Sequence, residues 1–339
     1  MTTSDIERLG ERFERFAEEA RTYAGPLYAV LSHGIARDPE LLALARHVRR
    51  PPVPNVLLAS VHFLLAETPQ HPLASFYGSL TARVRSPAHA YPYFRDFVLS
   101  NRSRLIPLLE TRITQTNEVS RCSFLMPAFT VVHRARGFRP LALVDVGCSA
   151  GLHLLWDRYF YDYGSVAVGH PAAAVHITCE LRGGITPPLP ERFPDCAFRL
   201  GIDLHPVDLA DPIERRWFES LIWPEHARRR QLASAAMNEL RREPPRLIKG
   251  DAAEVLGDVL DTVPADASLI VYNCAALCQG GAVEQDAVKS VLMACSSHRP
   301  VDWLYCENQT VELRTLANGR MTERQLANMD GHGRWLEWL

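Results

Sequence analysis

No apolar run in these 339 residues approaches the roughly 18 that a helix needs to cross a bilayer, so no membrane partner is expected. Charge of one sign is lacking too. The 37 Lys and Arg against 39 Asp and Glu leave a formal net charge of −2, which gives no general attraction to nucleic acid. Eight cysteines follow no regular spacing. Cys274 and Cys278 form a C-x3-C that no second Cys or His pair answers at zinc-site distance, so buried thiols are expected rather than a metal site or a disulfide framework. The opening Met1-Thr2-Thr3-Ser4-Asp5 has no signal-peptide character, and a reduced, cytoplasmic protein is the expectation. What is present is 47% hydrophobic and 22% charged residues, enough for a proper core and for one large or two ordinary domains. The partner expected is a small-molecule substrate; oligomeric state is not legible.

The first 135 residues read as helix after helix. Ile6, Leu9, Phe13 and Phe16 share one face, and Asn55 to Leu65 is an apolar run around Val56, Leu57, Val61, Phe63 and Leu64. His62, inside that run, reads as a hydrogen-bonded core histidine. Gln115 to Cys122 is mostly polar. Asn117 and Glu118 there either cap a helix or face a ligand. Arg134 to Pro140 is a basic connector marked by Gly137 and Pro140, and the domain boundary is placed there: residues 1–135 helical, residues 136–339 an α/β domain.

The second part begins with Leu141-Ala142-Leu143-Val144-Asp145-Val146-Gly147-Cys148-Ser149-Ala150-Gly151. An apolar run of strand length ends in an acid and small residues. Leu152, Leu155, Trp156 and Tyr159 then recur at helical spacing. Strand, glycine turn and helix start would bring unpaired backbone N–H groups and a helix dipole to a ligand, with Gly147 and Gly151 allowing close approach. A tight turn that binds nothing is the plain alternative. The same letters also spell G-x-S-x-G, the nucleophile elbow of serine hydrolases, with Asp302 and His332 following in triad order. However, that class needs several strands before the elbow and an oxyanion loop such as His-Gly-Gly-Gly, and neither is upstream. G-x-G-x-x-G is absent, which disfavours a dinucleotide site.

Further along, Ala174 to Glu180 reads as a second strand, with Glu180 at its tip placed to accept two ribose hydroxyls. Residues 182–246 are too long for one crossover and read as a helical insertion. Asp203, His205 and Asp208 cluster within it, and Asp211-Pro212-Ile213-Glu214 spells a helix start. Strands follow at 246–249, 268–273 and 301–307, with helices after Asp251 and Val283. Asn318-Gly319 marks a closing hairpin.

Asp145-x-Gly147-x-x-x-Gly151 resembles the first motif of class I S-adenosylmethionine-dependent methyltransferases, with Ser149 in place of the usual middle glycine, as in the Gly-Cys-Ser-x-Gly of plant carboxyl methyltransferases. The resemblance implies S-adenosylmethionine as cofactor. It also implies cofactor contacts from Asp145, Gly147, Ser149, Gly151, Glu180, Asp251 and Asn273, with Asp251 on the adenine amino group and Asn273 toward the acceptor. No Pro-Pro-Tyr follows Asn273, which disfavours methylation of nucleic-acid bases. Asn273, His205, Asp203, Glu118 and Asn117 are the candidates for the acceptor pocket and catalysis. The Asn55–Leu65 and Gln115–Cys122 segments, Asp145–Gly151, and Gly201-Ile202-Asp203-Leu204-His205-Pro206 together resemble a bacterial family known only as a domain of unknown function. The expected architecture is an α/β, methyltransferase-like, doubly wound and mostly parallel sheet, behind an all-helical N-terminal domain and carrying a helical insertion. The expected function is methyl transfer to a small molecule. The alternatives are a cofactor-binding protein without catalysis and a serine hydrolase.

Overall fold

The computed structural model describes residues 3–339. Six helices come first: α1 (Thr3–Thr22), α2 (Pro26–Ile35), α3 (Pro39–Ala45), α4 (Val53–Leu65), α5 (Tyr91–Ser100) and α6 (Arg102–Thr111). Then come α7 (Cys122–Ala135) and the strands β1 (Leu141–Val146), β2 (Phe160–Asp162), β3 (Ala167–Val168), β4 (His176–Thr178), β5 (Glu180–Arg182) and β6 (Cys196–Asp203). Helices α8 (Pro212–Ser220) and α9 (Ala227–Arg242) separate β6 from β7 (Arg246–Lys249). The chain continues as α10 (Ala252–Asp261), β8 (Ser268–Cys274), α11 (Leu277–Gly280), α12 (Ala282–Cys295), β9 (Val301–Glu307), β10 (Thr310–Ala317), β11 (Arg320–Met329) and β12 (Trp335–Trp338). Among the described residues no helix is long and apolar enough to cross a membrane.

The chain divides into two compact units. One is Met1–Thr116 with Ala210–Gln231; the other is Asn117–Leu209 with Leu232–Leu339. The division falls at Thr116/Asn117 and not at the basic connector, because α7 packs on the sheet: Phe129 meets Trp156 and Tyr272, each with ring centroids 5.2 Å apart. The excursion from the sheet unit is also shorter than residues 182–246. It contains α8 and the start of α9, since β6 is itself a strand of the sheet.

The helical unit is built on α1, whose Leu9, Phe13 and Phe16 are buried, and on α4, buried nearly all round. His62 is a core histidine: its ring nitrogens lie 3.1 Å from Ser220 O and 2.7 Å from Ser79 Oγ. Burial holds it neutral, with its pKa lowered to about 4.

The other unit carries a nine-stranded sheet in the order β5-β12-β11-β10-β9-β8-β1-β6-β7. Strands β7, β6, β1, β8 and β9 are mutually parallel, and β10, β11 and β12 follow as an antiparallel meander. All six residues of β1 are buried, as a central parallel strand covered on both faces requires. Ala142, Val144 and Val146 pack with Leu256, Val259 and Leu260 of α10 and Val288 and Leu292 of α12. Asp145 points to the opposite face, where its register partner on β8 is Tyr272. The Asn318-Gly319 turn joins β10 to β11 with φ of 51° and 68°, both in the left-handed region that a two-residue hairpin loop requires.

One expectation about the sheet is overturned. The strand beside β1 is β6, ending at Asp203, whereas residues 174–180 divide between a separate three-stranded sheet (β4) and the far edge of the large sheet (β5). Arg199 interrupts the apolar pattern of β6 and hid it from a periodicity reading. Asp157 neutralises Arg199 through two hydrogen bonds of 2.5 and 2.7 Å. The segment after the glycine turn is a short 3-10 stretch, Leu152–Arg158, with a kink at Leu155 instead of a regular helix.

The helical unit supplies a stability test. Asp38 caps α3 by accepting from Glu40 N at 3.0 Å and Leu41 N at 3.3 Å, and also receives Tyr91 Oη at 3.0 Å and Arg95 Nε at 2.7 Å. Burial alone raises its pKa, but these donors outweigh burial and lower it. Asp38→Ala removes a cap worth about 1 kcal/mol and leaves Tyr91 Oη without its acceptor, while Arg95 keeps Glu40, for a loss of roughly 2 kcal/mol in chemical denaturation. A loss within 0.5 kcal/mol would show that the network is not holding α3.

Candidate functional site

After β1 the chain is carried to β6 and β7 on one side, and then to β8 and β9 on the other. The connection reverses between β1 and β8, and in open α/β sheets such a switch point leaves a crevice at the carboxyl ends of the strands. Two turns face each other there. In the turn after β1, Gly147 has φ 80° and Gly151 has φ 76°. A Cβ on Gly147 would stand 2.2 Å from the Cβ of Ala276, so the glycine is what lets the two turns close on each other. Ser149 (φ 51°) and Ala275 (φ 53°), one in each turn, are non-glycine residues held in the left-handed region, a strain that recurs at functional sites.

Most of the first turn's N–H groups already have acceptors. Gly147 N and Cys148 N donate to Ile202 O at 2.8 and 3.2 Å, Gly151 N to Cys148 O at 2.8 Å, and Leu152 N to Asn117 Oδ1 at 2.7 Å. Ser149 N donates to Asp203 Oδ2 at 2.8 Å, while His205 N takes Asp203 Oδ1 at the same distance. The Asp203 carboxylate at the tip of β6 therefore shapes both its own loop and the glycine turn.

Asn117 and Glu118 lie beneath the turn. Both are buried; Asn117 holds Leu152, and Glu118 caps its own segment by accepting from Ser120 N at 3.3 Å. His153 donates from Nε2 to Glu118 O at 2.9 Å, and its Nδ1 lies 3.9 Å from Asp145 Oδ2. Burial first, and Arg121 second, lower the His153 pKa to about 4. Asp145 is driven the other way. Burial raises its carboxyl to about 8 and the Asp203 charge adds to this, against opposing contributions from Tyr272 and Arg121. At neutral pH this layer holds a neutral imidazole and a largely protonated acid.

On the β8 side, Asn273 is fully buried and spent at both ends of its amide. Nδ2 donates to Glu307 Oε1 at 2.6 Å, and Oδ1 accepts from Trp303 Nε1 at 2.7 Å. It positions a carboxylate. Glu307, the last residue of β9, also accepts from Ala276 N at 3.0 Å and Leu277 N at 3.1 Å, all on Oε1. The candidates named from sequence did not include Glu307, although an acid ending an apolar strand is the signal that singled out Asp145. Arg121 donates from Nη1 to Cys274 O at 3.1 Å and from Nε to Gly331 O at 2.9 Å, tying the second turn to the C-terminal segment.

Three other expected positions fall differently. Glu180 lies on β5 at the sheet edge, exposed and paired with Arg182 at 2.9 Å, and so is not brought to the glycine turn. The physical reason is topological: β6 occupies the place beside β1. Asp251 stands at the end of β7 as the cap of α10, accepting from Ala253 N at 2.9 Å. Asp302, the acid of the hydrolase alternative, is level with Ile270 and thus with Leu143 of β1, toward the amino ends of the strands. It is bound there by Arg136 at 2.7 and 3.0 Å.

A family model described as "Uncharacterized protein conserved in bacteria (DUF2332)" matches residues 10–338. No curated protein and no solved structure matches the chain.

The buried acid and imidazole under the turn give opposite pH dependences. Asp145 is raised from an ordinary value near 4 to about 8, so the folded state keeps a proton that the unfolded state loses, and stability falls as pH rises through that window. His153 is lowered from 6.5 to about 4, and its contribution is lost as pH falls through that range. The two oppose each other below about pH 6.5, which leaves the Asp145 decline alone between about 6.5 and 8, on the order of 1–2 kcal/mol. Thermal unfolding of the wild type should show this decline, and Asp145→Asn, which mimics the protonated acid, should flatten it. A wild type with no decline would mean that Asp145 is ionised in place.

Proposed function

The chain belongs to that bacterial family, and from the geometry of the two turns at its switch point we propose that it binds S-adenosylmethionine and transfers the methyl group to a small molecule. The observation that carries this reading is the pair of strained turns closing on each other at the switch point, with the Asp203 carboxylate at the tip of the adjoining strand. In the family of class I methyltransferases the acid at that strand tip accepts the ribose hydroxyls. We assign that role to Asp203, which ends the strand paired with β1, in place of Glu180 at the sheet edge.

The spent amides of the glycine turn also support this reading. A dinucleotide site presents free N–H groups to a pyrophosphate. Here the N–H groups of Gly147, Cys148, Ser149, Gly151 and Leu152 are occupied within the protein. Such a turn offers close backbone approach without an anion cradle, which suits a cofactor that carries no phosphate. Asp251, exposed at the tip of the next strand, retains acceptor capacity for an adenine amino group.

When bound, the cofactor supplies an electrophilic methyl group on a sulfonium. The sulfonium charge disperses in the transition state, so the protein's task is to orient two reactants and exclude water. Gly147 and Ala276 set how closely the turns approach a ligand. Asp203 holds Ser149 and His205 in place at the tip of β6, and Asn273 orients Glu307.

Calorimetry with S-adenosylhomocysteine tests the assignment. The wild type should bind it. Asp203→Asn should weaken binding about tenfold to a hundredfold, the equivalent of roughly 1.5–3 kcal/mol for hydrogen bonds to a charged group. Glu180→Ala should leave binding within about twofold, as expected for a surface ion pair. Absence of binding by the folded wild type, or Glu180 proving the sensitive position, sinks the proposal.

A further inference from the structure

Strand β11 is paired along only part of one side. β10 runs beside it from Arg320 to Asn328, but on the other side β12 reaches only Ala327 to Met329, and Leu339 N adds one bond to Leu326 O at 2.9 Å. No strand lies on that side of Arg320–Gln325. An edge of this kind presents a row of main-chain N–H and C=O groups to any extended segment laid beside it.

A cavity of about 460 Å³ opens where β12 stops. Arg324, Gln325 and Leu326 all line it. Successive side chains of a strand point to opposite faces of the sheet, so it is the edge of β11, main chain included, that faces the cavity. Trp338 is buried and gives it an apolar wall, while Ile185 and Leu339, 51% and 56% exposed, meet there as uncovered apolar side chains. Arg134 lines it as well, and no acidic side chain does. Arg134 Nη2 donates to Leu189 O at 2.7 Å, which holds its guanidinium at the wall. Arg324 has no hydrogen-bond or ion-pair partner among the described residues. Glu323, the acid of the unpaired stretch, faces Arg314 at 3.8 Å.

From this combination of an open strand edge, a cavity and two arginines, we propose that the cavity docks an extended peptide carrying acidic side chains, which adds to the sheet as a strand beside Arg320–Gln325. The main chain of the peptide takes the unpaired groups of β11, its apolar side chains cover Ile185, Trp338 and Leu339, and a carboxylate meets Arg324 and Arg134. In strand addition, main-chain bonds supply affinity and alternate side chains supply selectivity. Charged residues on an exposed edge ordinarily keep other strands away. Here the charge at the cavity is of one sign, so it discriminates against neutral and basic strands and admits an acidic one.

The probe is the fluorescein-labelled peptide Gly-Glu-Val-Thr-Val-Glu-amide, titrated with the full chain and read by fluorescence anisotropy. Two control peptides separate the contributions. One has Lys in place of both Glu. The other is N-methylated at the first Val and at Thr, so that one blocked N–H faces β11 whichever side the peptide presents. The acidic peptide should bind, and each control should bind about tenfold more weakly or worse, the equivalent of one lost hydrogen bond or charge pair. Arg324→Glu should weaken the acidic peptide by a similar factor or more; the side chain is exposed and unpartnered, so the fold is not at stake. Hydrogen exchange should slow at Arg320–Gln325 when the acidic peptide is bound. Equal binding of the N-methylated peptide would mean a site for a carboxylate alone and overturns strand addition. Unchanged binding by Arg324→Glu, protection confined to other segments, or a wild type that does not bind the acidic peptide overturns the site.

Discussion

The interaction on which the rest of this site depends is the bond from Ser149 N to the Asp203 carboxylate. A turn that passes through φ 80°, 51° and 76° at Gly147, Ser149 and Gly151 leaves its amides pointing in several directions, and each must find an acceptor or face water. Ile202 O answers two of them, and Asp203 answers the third while also holding His205. The loops after β1 and β6 are therefore one structure, and the tip of β6 cannot shift without releasing the glycine turn. Strain at Ser149 persists because the surrounding bonds over-determine it.

The β8 side is built by the same logic with different parts. The positive φ of Ala275 turns the chain so that Ala276 meets Gly147, and Glu307 collects the N–H groups of Ala276 and Leu277 that the turn leaves unpaired. Asn273 is oriented from behind by Trp303. Each turn thus has a carboxylate from the neighbouring strand as its brace: Asp203 for the turn after β1 and Glu307 for the turn after β8. Beneath them, Asp145 and His153 are so deeply buried that both favour their neutral forms.

Much of this architecture was legible in the chain. The apolar runs of β1, β8 and β9, the cap-and-start patterns at Asp211 and Asp251, and the Asn318-Gly319 hairpin all follow from local rules of periodicity and turn chemistry. What escaped was non-local. β6 carries Arg199 in mid-strand, and only the approach of Asp157 makes that burial acceptable. Glu180 ends an apolar segment as convincingly as Asp203 does. No spacing rule tells that β5 pairs with β12 at the sheet edge while β6 pairs with β1.

By itself the sequence determined the types of most elements, the place of the glycine turn and several of the acids that end the strands, because side-chain periodicity and glycine's freedom at positive φ act within a few residues. Only the tertiary structure decided which acid serves which turn. It put Asp203 and not Glu180 beside the glycine turn, and set the Asn273 amide between Trp303 and Glu307. The physical reason is that strand order and hydrogen-bond satisfaction are settled by long-range pairing. Two strands of similar local pattern differ only in which neighbour completes their backbone bonds.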